Sequence, residues 1–328
     1  MAFPPPLVSI DDVRAAQKRL LDKRLAIRTP LIKMPANDTG TEIYLKLENL
    51  QPTGSFKVRG SCNALSSLTD AQLSKGVCTA SAGNFAQGLA WSARELGVPC
   101  HVLIPDRTPD IKRQAMTSLG AILHPVSYDT WWTAIEKRQY SPDILPGHFV
   151  HPASDSSVIA GNGTIGLEIL EDLPNVGAVI TPYGGGGLSC GVATVIREFR
   201  PDARCYATEI ETAAPLRASF DLGRATSFDY LPSFVDGIGG KCVLPEMFDF
   251  ARDVLDDSIV VSLGDVANAV RFLAERCKIV AEGAGAASLA AALSGQVDSS
   301  AGPVACVVSG GNIDTRKLVK ILEGEIPE

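Results

Sequence analysis

Apolar and polar positions along the chain change period in a way that maps its elements. Ile10 to Leu25 repeats apolar residues at helical spacing after a Ser9/Asp11 start signal, and Thr41 to Leu47 alternates like a strand. From Gly76 the pattern becomes a series of units: strand Val77 to Ala80, helix Asn84 to Leu96, strand Cys100 to Ile104, helix Pro109 to Leu119, strand Ala121 to His124. A second series begins near Ile159 and continues through Val179, Cys205 to Thr208, Ile259 to Val261 and Val304 to Val308. Such alternation predicts an α/β fold of parallel sheets covered by helices, with sites at the carboxyl ends of the strands. The Pro- and Gly-bearing stretch Ser141 to Gly147 separates the two series. The expected organisation is a small α/β domain, residues 54–146, inserted into a larger one built from residues 1–53 and 147–328. Ala284 to Ser294, rich in small residues, predicts close helix packing.

Within this pattern, the run Gly184, Gly185, Gly186, Gly187 lies between an apolar stretch, Val176 to Thr181, that reads as a buried strand and a helical stretch, Leu188 to Phe199. At such a turn, backbone N–H groups converge on an anion at the positive end of the helix dipole, and glycines leave no Cβ to hold a phosphate away. No Lys-Ser or Lys-Thr follows the glycines, and no G-x-G-x-x-G spacing with a suitably placed acidic residue is present, so neither common nucleotide pattern is met. The phosphate is expected to belong to another cofactor. A second candidate is Lys57, within Thr53-Gly54-Ser55-Phe56-Lys57-Val58-Arg59-Gly60, read as a covalent lysine.

Composition narrows the partners. A chain of 328 residues, 45% apolar, can bury a sizeable core. A net charge of −7 with dispersed basic residues argues against nucleic acid, and Lys18-Arg19 with Lys23-Arg24 reads as a solvated helix face. Eight cysteines never occur as C-x-x-C, so no zinc or redox pair is expected, and His148 and His151 read as packing or surface residues. No stretch is long and apolar enough to span a bilayer, and Met1 to Pro6 lacks a secretory pattern. A cytoplasmic protein with no membrane contact is expected.

Taken in chain order, six motifs carry a family resemblance: Glu48 to Lys57, Ser81-Ala82-Gly83-Asn84, Gly161 to Gly166, the glycine run, Glu282-Gly283-Ala284-Gly285-Ala286 and Ser309-Gly310-Gly311-Asn312. With these, nearly the whole chain resembles the fold-type II pyridoxal-phosphate enzymes, most closely the serine/threonine dehydratase and serine racemase group. The resemblance implies two three-layer α/β domains of the tryptophan synthase beta-like type, the larger binding pyridoxal 5'-phosphate and the smaller gating the substrate. It implies that Lys57 forms a Schiff base with the cofactor aldehyde and is the base for the α-proton. It places Phe56 against the pyridine ring, Asn84 on the ring hydroxyl, Gly184, Gly185, Gly186, Gly187 and Leu188 around the phosphate, and Ser309 at the pyridine nitrogen. Ser81, Ala82, Gly83 and Asn84 are implied to bind the substrate carboxylate, with Phe85 beside them. A homodimer is implied as well. The expected reaction is α,β-elimination from an L-β-hydroxy amino acid: serine gives pyruvate and ammonia, threonine gives 2-oxobutanoate and ammonia. A neutral Ser309 hydroxyl leaves the ring less electron-poor than a carboxylate partner would, which favours prompt elimination.

Three departures modify this expectation. Racemases of the group carry a second serine where Ala82 stands, so a lyase is favoured over an amino-acid racemase or a cofactor carrier without turnover. Phe85 replaces the usual histidine, which admits a bulkier or aromatic β-substituent such as that of phenylserine, and Tyr128, Trp131 and Trp132 are candidates to extend that surface or to pack in the core. Glu209 resembles the carboxylate of a divalent-cation site, with Ala213 offering a carbonyl. Pro215 stands where a further acidic ligand of Mg²⁺ or Ca²⁺ is expected, although Glu211 is a candidate substitute. The residues after the Ser309 motif leave no room for the regulatory domain of biosynthetic threonine dehydratases.

Overall fold

The computed structural model describes residues 7–36 and 40–327; the amino-terminal stretch Met1 to Pro6 lies outside them. Its strands are β1 Leu31–Lys33, β2 Ile43–Lys46, β3 Val77–Ala80, β4 Cys100–Pro105, β5 Ala121–Val126, β6 His148–Phe149, β7 Ala178–Pro182, β8 Arg204–Ile210, β9 Asp257–Val261 and β10 Val304–Val307. They form a six-stranded sheet in the order β1-β2-β10-β7-β8-β9 and a four-stranded sheet in the order β5-β4-β3-β6. Every pairing is parallel except that of β1 with β2.

The larger sheet is apolar on both faces, as a helix-covered parallel sheet must be. Along β10, Val304 and Cys306 enter the core on one side while Ala305 and Val307 enter the core on the other; β7 divides Ala178 and Ile180 from Val179 in the same way. In the smaller sheet Cys78, Ala80 and Leu103 pack under the helix Tyr128–Lys137, whereas Val77, Val102 and Ile104 face the helix Asn84–Glu95. Trp131 and Trp132 are partly buried in that first cluster, so they pack in the core of the smaller unit.

Two differences from the sequence reading have local causes. The smaller sheet extends past residue 146, because His148 N donates to Gly76 O at 2.9 Å and Val150 N to Cys78 O at 2.8 Å, adding β6 to β3. Ile159 lies in the helix Ser156–Asp172, which Asp155 starts by accepting from the amides of Ser157 and Val158. That helix packs closely on its neighbours through glycine: a Cβ on Gly161 would come within 2.5 Å of Arg59 O, and one on Gly191 within 2.5 Å of Ile159 O.

Candidate active site

The carboxyl ends of β3, β7 and β10 lead into the Ser81 turn, the glycine run and Ser309. Lys57 opens the helix Lys57–Ser66. A buried charge cluster beneath it holds that helix in place. Arg59 donates to Glu48 through Nε and Nη2, both at 2.8 Å, and to Glu168 through Nη1 and Nη2 at 2.7 and 2.8 Å. Lys46 Nζ completes the cluster on Glu168 and on Thr29 O. Two positive and two negative side chains thus neutralise one another in a dry interior, where losing one partner would strand a charge.

The Lys57 amine is half-buried between aromatic faces, 4.9 Å from the Phe56 ring centre and 5.8 Å from that of Phe85. Burial lowers it to about 8, with the charge of Glu282 pulling the other way. Phe56 N donates to Ser309 O at 3.0 Å, and Ser55 bridges to Gly310, so the Lys57 and Ser309 segments lie side by side. Ser309 is itself buried.

The Ser81 turn follows β3, tied to β4 by Ser81 N donating to Leu103 O at 3.2 Å. The helix it opens, Asn84–Glu95, has no side-chain cap, and the space beside Gly83 is open. Its first amides therefore remain available to an anion. Phe85 points into the apolar cluster of Leu65, Leu89 and Val158, and Ala82 packs at its edge.

The helix Gly187–Phe199 also begins without a side-chain cap, from Gly186 at φ 88°, a backbone conformation that glycine accepts at little cost. Two neighbouring glycines are required for a different reason. A Cβ on Gly185 would collide with Ala153 Cβ, and one on Gly187 would lie 2.5 Å from Ala153 O. The run is thus a packed cradle whose amides, with that of Leu188, open the helix.

Glu282 was not singled out as a site residue in the sequence, although it lies in one of the quoted motifs. It stands at the residue before the helix Gly283–Leu293 without a side-chain bond to that helix; its N–H donates to Gly310 O, and its Oε1 accepts from Asn84 Nδ2 at 2.7 Å. Burial raises its carboxyl to about 7 and Asp236 adds to this, while the Asn84 hydrogen bond, Lys112 and Lys57 oppose it. Asn312 was missed likewise: its Nδ2 donates to Thr53 O and to Asn84 Oδ1, both at 2.9 Å.

Glu209 is buried, but its oxygens are occupied. Oε1 accepts from Leu216 N at 2.8 Å, and Oε2 accepts from Arg217 N and Ser258 Oγ, each at 2.7 Å. Three donors converge where a cation would need lone pairs, and Pro215 adds no carboxylate. Glu211 turns elsewhere, accepting from Leu263 N at 2.8 Å. Among the described residues no group of three or more His, Cys, Asp or Glu side chains could hold a metal ion. Glu209 and Ala213 therefore do not fit a Mg²⁺ or Ca²⁺ site. His151 is buried and pushed down to about 4 by burial first and then by Arg138; its Nδ1 accepts from the amides of Ala153 and Ser154.

The family model described as pyridoxal-phosphate dependent enzyme matches residues 23–310. The chain belongs to this family. A lysine amine depressed toward neutrality and an uncapped, glycine-lined helix start are the donors that an aldehyde and a phosphate require, so the residues present fit the cofactor. Over 320 residues the chain is 39% identical to an L-threonine ammonia-lyase of Thermotoga maritima, covering 96% of this chain and 78% of that one. A catabolic L-threonine dehydratase of Staphylococcus aureus is 37% identical, with 97% and 92% covered. Among solved structures, maize serine racemase superposes with a TM-score of 0.88 at 31% identity over 97% of this chain and 98% of that one. No helix among the described residues is long and apolar enough to cross a membrane.

Proposed function

We propose that the protein is a pyridoxal-phosphate dependent ammonia-lyase that converts L-β-hydroxy amino acids of the serine/threonine type to a 2-oxo acid and ammonia. The observation that carries this reading is the Lys57 amine, depressed to about 8 and held between the Phe56 and Phe85 rings, in a segment that pairs with that of Ser309. When bound, the cofactor supplies an electron sink for the charge left at Cα. Lys57 takes the Cα proton, a task suited to a base titrating near neutrality. The amides that open the helix Asn84–Glu95 receive the substrate carboxylate, and those of Gly184 to Leu188 hold the cofactor phosphate. Ser309 offers the ring nitrogen a neutral hydroxyl. Loss of the α-proton and the β-hydroxyl as water, followed by addition of water to the released enamine, leaves 2-oxo acid and ammonia in balance.

Ala82 supports a lyase over a racemase, since its methyl group has no proton to place on the opposite face of Cα. The names of the ammonia-lyase and dehydratase relatives agree with this choice. Phe85 supports an apolar or aromatic β-substituent, because it sets a ring 5.8 Å from the Lys57 amine where a histidine would offer a hydrogen-bonding group. A cytoplasmic homodimer belongs to the same reading; exposed Leu50 and Val280 along a groove with Ile32 and Ile279 support a covered face.

The test is ammonia and 2-oxo acid release from L-serine, L-threonine, threo-3-hydroxyaspartate and phenylserine, with Lys57→Ala as control. Turnover abolished in the variant is expected. A clear kcat/KM preference for threonine over phenylserine would remove the aromatic pocket from the proposal, and a chirally inverted product without keto acid would replace the lyase by a racemase.

A further inference from the structure

The amide of Asn84 is held in one orientation by a chain of hydrogen bonds that begins on the backbone. Thr53 O can only accept, so the atom of Asn312 that lies 2.9 Å from it is the nitrogen. That same nitrogen lies 2.9 Å from the Asn84 side chain, which must present its oxygen there. The Asn84 nitrogen is left to donate to Glu282 Oε1 at 2.7 Å. Turning the amide over would set nitrogen against nitrogen at one end and oxygen against carboxylate oxygen at the other. The outer end of the chain is anchored as well: Gly311 N donates to Gly54 O at 2.8 Å, and Gly54, at φ 70°, has no Cβ to push the Asn312 amide away.

One N–H of Asn84 remains uncommitted, while its oxygen is turned to Asn312. Toward the cofactor, Asn84 is therefore a donor. We propose that Asn312 and Glu282 are positioning residues that lock Asn84 as a hydrogen-bond donor and so hold the ring oxygen of the bound cofactor in its ionised form. An N–H can donate to either form of the ring oxygen, but its bond to the oxyanion is charge-assisted and so the stronger of the two, which favours ionisation. The inference rests on the reading that Asn84 faces that oxygen.

The test uses the visible absorbance of the cofactor-loaded protein, in which the ionised and neutral forms of the ring oxygen give separate bands. In Asn312→Ala the oxygen of Asn84 loses its donor and only Glu282 still orients the amide, so the ratio of ionised to neutral band should fall about fivefold, the shift that one hydrogen bond of ~1 kcal/mol produces. Glu282→Gln, which can donate where the carboxylate only accepts, should move the ratio the same way. In the Asn84→Ala background, Asn312→Ala should add nothing, since its effect passes through that amide; a merely structural role would add in both backgrounds. Variants that bind cofactor with the wild-type band ratio would overturn the inference. If Lys57→Ala leaves the absorbance of the loaded protein unchanged, the lysine assignment fails, and this inference falls with it.

Discussion

At Lys57 two effects act on one proton. Burial between Phe56 and Phe85 favours the neutral amine, the charge of Glu282 favours the ammonium, and burial prevails, setting the amine at about 8 rather than 10.5. Cofactor-free protein should therefore capture pyridoxal phosphate with a rate that climbs about tenfold per pH unit below 8 and levels off above it, as the neutral fraction of such a group does. Stopped-flow absorbance checks this, and a rate still climbing at about pH 10 would show an ordinary lysine. The linkage has a definite sign: from about 8 to 10.5 the unfolded chain binds this proton more tightly, so the group's contribution to stability rises with pH across that window. The glycine run stands out in the sequence by its local residue types, whereas Ser309 is reached only through the family motif that contains it. Glu282 could not be read there, since its place in the site comes from Asn84, 198 positions away.

At the scale of elements, helix starts decide where anions can bind. Several helices away from the site begin with a side-chain cap, from Ser9, Ser127, Asp155, Ser262 and Asp314, while Asp110–Ser118 and Pro245–Val254 begin without one. Those opened by Lys57, Asn84 and Gly187 have none, which leaves their first amides free for ligand. The helix Pro215–Leu222 solves the same need at a distance: Glu209, on β8, accepts from its Leu216 and Arg217 amides. Glu209→Ala would leave two amides and the Ser258 hydroxyl without their acceptor in the interior. It should cost about 2–3 kcal/mol in denaturant unfolding. Neither EDTA nor Mg²⁺ should shift the wild-type melting temperature, and a saturable rise with Mg²⁺ that Glu209→Ala abolishes would restore the cation site. Periodicity revealed the parallel units with ends displaced by one or two residues, as at Asp110–Ser118 and Ala178–Pro182. The edge strand β1 escaped it because three residues are too few to show a period. The donors around Glu209 escaped it because backbone amides leave no mark in a sequence.

For the whole molecule, the relation between the two sheets matters most, because the Ser81 turn comes from one unit and the glycine run from the other. Side chains spaced far apart in sequence bridge them. Lys112 reaches Asp236 at 2.7 Å across 124 positions, and Arg138, at the end of the helix Tyr128–Lys137, reaches Glu246 at 2.6 Å and Ser154 at 2.7 Å. The fold thus gives Arg138 a carboxylate partner on the other unit. Lys241 adds a contact over the Tyr128 ring at 5.0 Å. Each ion pair is partly exposed, so neither adds much to global stability. If the two units open and close around substrate, pairs that join them act on that equilibrium, where a small energy alters substrate capture. Lys112→Ala with Arg138→Ala should leave the melting temperature within about 2 °C of wild type while raising KM for the amino acid roughly three- to tenfold, as loss of two pairs of ~0.5 kcal/mol or more each implies. Because exposed charges are screened, raising the salt concentration should move the wild-type KM toward that of the double variant and leave the variant's own KM nearly constant. A fall in melting temperature with an unchanged KM would instead make the two pairs part of the folded core's stability, and would leave the junction to its other polar contacts, among them those of Arg59 with Glu48 and Glu168 and those of Asn84 with Glu282 and Asn312.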